Sequence, residues 1–89
     1  MSDGYKVVIG AGAAKSIRRL PKQSQKAVLS ALKSLEGDPR GGKPLTGDLG
    51  GVWSLRRGDY RVLYRLDDRA RRIEIARVSH RRDVYRRRP

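Results

Sequence analysis

Cysteine is absent from these 89 residues, so neither a disulfide framework nor a thiolate metal site is available. Histidine occurs once, at position 80, which excludes a metal site built on several imidazoles. No apolar run approaches the ~20 residues that a membrane-spanning helix needs. The stretch from Val7 to Ala14 has the small residues of a signal-peptide core, but Asp3 offsets Lys6 ahead of it and Gly and Ala fill the run after Ile9, so it is not read as one. The expected location is the cytoplasm. Acidic residues are scarce, nine against 22 Lys and Arg, and lysine stops at Lys43.

What is present is positive charge. The net charge is +13 and the isoelectric point about 11.3, values that direct a small domain toward polyanions such as RNA, DNA, an anionic membrane surface or an acidic protein. Residues 1–50 carry nine basic side chains, six of them Lys, whereas all thirteen in residues 51–89 are Arg. A guanidinium offers a planar fork of donors that matches phosphate, so the second half is built for phosphate contacts rather than for solubility alone. A GC-rich genome also raises arginine content, but it does not determine where the arginines fall.

The length suits one domain, taken as residues 1–89. "YKVVI" (5–9) alternates as a short strand. Ala13, Ile17 and Leu20 follow helical spacing up to Pro21, which stops the first helix. A second helix begins near Pro21 or Lys22, buries Val28, Ala31, Leu32 and Leu35, and ends at Gly37 in a C-cap role. Residues 37–51 hold six of the ten glycines and read as a loop pinned by Leu45 and Leu49. Gly37-x4-Gly42-Lys43 misses the phosphate-binding loop pattern, because Pro44 replaces the required Ser or Thr and the stretch follows a helix instead of opening one.

Three strands complete the chain. "VWSLRR" (52–57) turns Trp53 and Leu55 inward, with Val52, Ser54 and Arg56 opposite. Gly58-Asp59 is a hairpin signal leading into residues 60–66, where Tyr60, Val62, Tyr64 and Leu66 share one face against Arg61, Leu63 and Arg65. Asp67-Asp68 turns the chain into "RIEIARV" (72–78), with Ile73 and Ile75 as core positions. The tail can form a helical turn around residues 83–87. The expected fold is α+β: an N-terminal strand, a helical hairpin, then a three-stranded antiparallel meander, all in one four-stranded sheet with both helices on one face. The uncovered face then carries Arg56, Arg61 and Arg65. A solvated charged face also discourages sheet-to-sheet association, but faces of that kind mix Lys, Glu and Thr, and this one is nearly all Arg.

"KPLTGDLGGVWSLRRGDYRVLYRLDD" followed by a strand and "VSHRRDVYRR" resembles the RelE family of toxin–antitoxin toxins, over the whole chain. The resemblance implies a ribosome-dependent mRNA endonuclease that works in the ribosomal A site without metal or other cofactor. The 2′-hydroxyl attacks the adjacent phosphate, leaving a 2′,3′-cyclic phosphate and a 5′-hydroxyl. Such chemistry needs a base, positive groups for the extra phosphate charge and a proton for the departing oxygen. By resemblance, Arg61 contacts the scissile phosphate, Arg81 stabilises or protonates the leaving group, and Tyr85 stacks on or orients the cleaved nucleotide. Arg56, Arg57, Arg65, His80 and Arg82 are the further candidates for RNA and phosphate binding. The implied partners are the ribosome and mRNA, together with an acidic RelB-like antitoxin that forms a hetero-oligomer with an otherwise monomeric toxin.

One departure stands out. Family members carry two lysines on the strand aligned with 52–57, one of them a favoured base, and here those positions are Val52 and Ser54. Arginine stays protonated and makes a poor base. Histidine is the side-chain type suited to proton transfer near neutral pH, and the one present, His80, is read as a packing or RNA-stacking side chain ahead of a base. Two alternatives to the endonuclease stand: a ParE-like toxin of the same fold that inhibits DNA gyrase without cutting, and a plain nucleic-acid-binding module.

Overall fold

The computed structural model describes residues 4–45 and 51–80. Strand β1 (Lys6–Ile9) is followed by helices α1 (Ala11–Arg18) and α2 (Lys22–Gly37), then by strands β2 (Lys43–Pro44), β3 (Val52–Arg57), β4 (Tyr60–Asp67) and β5 (Arg72–His80). The sheet order is β1-β5-β4-β3-β2, with β1 parallel to β5 and every other pair antiparallel. Among the described residues the sheet therefore has five strands rather than the four expected. The addition is β2, a two-residue edge strand in which Lys43 pairs with Ser54 and Pro44 with Trp53. Proline has no N–H to offer the ladder, so a place on an edge suits it.

Proline also divides the helices. Pro21, at φ −59°, is the N-cap of α2, and Arg19 ends α1 one residue before Leu20. The C-terminus of α2 differs from expectation: Gly37 is its last helical residue and Asp38 caps it, with no left-handed glycine at the junction. Together α1 and α2 cover one face of the sheet. Ala13 and Ile17 of the first, and Val28, Leu32 and Leu35 of the second, close on Val62, Tyr64, Ile73, Ile75 and Val78. This is the core, and no polar or charged side chain is buried in it among the described residues.

The β3–β4 ladder keeps strict alternation across a turn in which Gly58 takes φ +58°. Trp53, Leu55, Val62 and Tyr64 point to the helices, and Trp53 and Tyr64 stack at 6.3 Å between centroids. The β4–β5 ladder does not alternate throughout. Tyr64 pairs with Ile75 but Leu63 pairs with Arg77, which leaves Ala76 as the extra residue of a β-bulge. The bulge reverses the phase of the strand. Val78 joins Ile73 and Ile75 in the core, and Arg77 turns to the uncovered face.

The far end of the sheet is tied by polar contacts. Tyr5 donates to Asp68, whose two carboxylate oxygens each also accept from Arg40 at 2.9 Å. Asp67 accepts the Ala70 N–H at 3.0 Å and closes the β4–β5 turn. No helix among the described residues is long and apolar enough to cross a membrane.

Candidate functional site

The registers define the uncovered face row by row. One row reads Lys43, Ser54, Leu63, Arg77 across β2 to β5. The next reads Arg56, Arg61, Ser79, and on the other side of the first lies Val52, Arg65, Glu74. Arg56 and Arg61 are thus directly opposite each other on adjacent strands, an arrangement that costs stability for like charges. Both are exposed, and neither has an acidic partner among the described residues. Beside them lies an open pocket of about 400 Å³, lined by Gly41, Gly42, Lys43, Leu45, Ser54, Leu55, Arg56 and Arg61. Three of its eight lining residues are cations and none is acidic, so the recess suits an anionic group.

Loop geometry makes one wall of this pocket. Tyr64, fully buried, donates its hydroxyl hydrogen to the Pro39 carbonyl at 2.9 Å and accepts the Gly42 N–H at 3.1 Å. Burial, more than any other influence, holds the Tyr64 hydroxyl above the usual phenol range, so it stays protonated and can serve both contacts. At Gly42 a Cβ would lie 2.6 Å from the Ser54 carbonyl oxygen and 2.8 Å from the Tyr64 hydroxyl. Only glycine lets the loop approach β3 this closely. Leu45 N–H then bonds to the Val52 carbonyl at 2.8 Å, completing the short edge strand.

The expected site residues separate into three groups. Arg56 and Arg61 come together at the pocket. Arg65 shares their face but stands outside the pocket, with Glu74 across the ladder from it. Arg57 and His80 do not join them: the registers pair both with Tyr60, on the helix side of the sheet. The bulge explains His80, since uninterrupted alternation from Ile73 and Ile75 would have sent it to the uncovered face. Its ring instead meets the Tyr60 ring edge-on at 5.0 Å. Arg81, Arg82 and Tyr85 lie outside the described residues, as do Leu49 and the expected turn at 83–87. Two cations of the uncovered face escape a sequence reading. Lys43 reaches it through a strand too short to show alternation, and Arg77 through the bulge.

A two-layer α+β domain with a guanidinium pair that no described carboxylate neutralises, beside a cationic pocket, has the surface expected of a small polyanion-binding protein. Comparison with known sequences and structures narrows that class. Residues 7–85 match the family described as ParE toxin of type II toxin-antitoxin system, parDE. The chain is 43% identical to Toxin RelE of Mycobacterium tuberculosis over 93 residues, covering 100% of this chain and 96% of that protein. It is 44% identical to Toxin RelG of the same organism over 85 residues, covering 93% and 98%. Among solved structures, the M. tuberculosis toxin–antitoxin complex RelBE2 contains a chain that superposes with a TM-score of 0.82 at 39% identity, covering 86% of this chain and 98% of that one. The chain belongs to the RelE/ParE family: it is a toxin of a type II toxin–antitoxin system.

Proposed function

We propose that the toxin is a ribosome-dependent mRNA endonuclease, acting in the cytoplasm. The observation that carries this reading is the Arg56–Arg61 pair beside a recess with no carboxylate among its described lining residues, on a face that no helix among the described residues covers. Two guanidiniums forced side by side are destabilising until a phosphate separates them, and a phosphorane-like transition state carries more charge than the phosphate it comes from. In this reading Arg61 binds the scissile phosphate and Arg56 assists. Arg81 and Tyr85, in the segment that follows β5, stabilise the leaving oxygen and orient the nucleotide. The cleavage is metal-independent: the pocket's cations are unsuited to ligating a divalent ion, which favours carboxylates and carbonyls.

The partner that restrains the toxin is an acidic, RelB-like antitoxin. The +13 charge supports this, as does the likeness to a toxin solved in complex with its antitoxin. Primer extension on mRNA after induction of the toxin alone tests the reading, with codon-phased cleavages in translated frames as the expected result. The second reading, a gyrase inhibitor, is favoured by the name of the matched family and by Val52 and Ser54 in place of lysines. It predicts a DNA-damage response with intact mRNA.

A further inference from the structure

The lysine missing from position 54 has a counterpart on the neighbouring strand. Lys43 pairs with Ser54 on the same face, is exposed, lines the pocket with Arg56 and Arg61, and has no acidic partner among the described residues. Directly paired residues on an antiparallel ladder have Cβ atoms only ~4.5–5.5 Å apart, and a lysine stem spans that distance. An ammonium carried by residue 43 therefore reaches the space above Ser54, where a lysine at 54 would place its own. The loop that presents it is built for position: the Tyr64 hydroxyl grips it from both Pro39 and Gly42, and Gly42 packs against the Ser54 carbonyl at a distance that only glycine allows.

We propose that Lys43 is a catalytic residue of this toxin, binding a non-bridging oxygen of the scissile phosphate as a point charge opposite Arg61. The proposal rests on the endonuclease reading above. In this arrangement the edge strand supplies from β2 the charge that the resemblance implies for position 54 on β3. The small side chain of Ser54 leaves the pocket open beneath the ammonium.

The test compares Lys43→Ala, Lys43→Arg and the double variant Lys43→Ala/Ser54→Lys in single-turnover cleavage on mRNA-programmed ribosomes. Lys43→Ala should slow cleavage at least tenfold, less than the 10²–10³ lost with an enclosed donor because the ammonium is exposed. Lys43→Arg should keep most of the rate, and the double variant should regain most of what Lys43→Ala loses. Parent-like cleavage by Lys43→Ala, with the parent cutting in codon phase, overturns the proposal and leaves the endonuclease reading standing. Failure of the double variant to recover overturns the claim that positions 43 and 54 serve one spot. If the parent cuts nothing, the endonuclease reading falls and the catalytic role falls with it, and binding then decides only whether Lys43 contacts phosphate. Fluorescence anisotropy with a short single-stranded RNA should then show the slope of log affinity against log salt reduced by about 0.7 in Lys43→Ala, the loss of one phosphate contact. An unchanged slope refutes the contact.

Discussion

The two faces of this sheet are built from the same strands, one residue apart, and they are opposites. Toward the helices, Val62, Tyr64, Ile73 and Ile75 are sealed from solvent, with nothing charged among the buried residues. Away from them, Lys43, Arg56, Arg61 and Arg77 stand exposed around Ser54 and Leu63, with like charges paired across β3 and β4. One face stabilises the domain, and the other gives up some of that stability by setting Arg56 opposite Arg61. The division can be broken from either side.

The largest expected effect is on the charged face. Arg61→Ala should lower single-turnover cleavage about 10²–10³-fold, roughly 3–4 kcal/mol of transition-state stabilisation. It should also leave the urea midpoint unchanged or slightly raised, because the repulsion with Arg56 goes with it. A variant that loses activity only by unfolding would erase the distinction between the faces. On the helix side, Ile75→Ala should behave inversely. Ile75 is 1% exposed, and truncating such a side chain costs about 2–5 kcal/mol. For a domain of this size that is a large part of total stability, visible in urea denaturation. Cleavage per folded molecule should stay near the parent rate.

Strict alternation made most of this division readable in advance. "VWSLRR" and "YRVLYRL" flank a Gly-Asp turn, so the parity of Arg56, Arg61 and Arg65 against Trp53, Val62 and Tyr64 follows from period two alone. What escaped were two breaks in that period. A strand of two residues ending in proline has no alternation to detect, and Lys43 looked like part of a glycine-rich loop. The bulge at Ala76 shifts the phase of β5, and small, apolar Ala fits a bulge or a regular rung equally well in a sequence pattern. From that one residue follow the inward turn of Val78, the outward turn of Arg77 and the place of His80 beside Tyr60. The helix boundaries were legible because Pro21 breaks a helix interior yet suits the start of one, whereas Gly37 differs in detail: glycine commonly caps a helix in the left-handed region, but here the helix runs through it to Asp38.

Tyr64 crosses the division, since its ring belongs to the core and its hydroxyl holds the loop beside the charged pocket. Tyr64→Phe keeps the ring and strands the Gly42 N–H and the Pro39 carbonyl, for a cost of about 1–3 kcal/mol. Amide exchange at Gly42 should accelerate while exchange at Ile73 and Ile75 follows only the global change. Cleavage should fall as well, although residue 64 never meets the substrate. Unchanged protection at Gly42 would show that the hydroxyl does not hold the loop.

The smallest effect expected is on acid stability, and it concerns neither face but the β4–β5 turn and its ties to Tyr5 and Arg40. Asp68 is held below the usual carboxylate range first by the Tyr5 hydroxyl and then by Arg40, and Asp67 chiefly by the Ala70 N–H. A carboxyl whose folded value is depressed favours the folded state at every pH above its unfolded value, near 3.9. That contribution is lost as pH falls through the lower folded values. The Arg40–Asp68 pair is more than half exposed on both sides, so solvent and salt screen it and the gain is modest. Between pH 5 and pH 3 the parent should therefore lose slightly more stability than Asp68→Asn, whose amide does not titrate, and the two urea midpoints should converge as acid is added. The charged face has no part in this, because arginine keeps its proton throughout the range. RNA affinity of Asp68→Asn at neutral pH should match the parent. A parent and variant that run parallel down to pH 3 would show that Tyr5 and Arg40 do not grip Asp68 in solution.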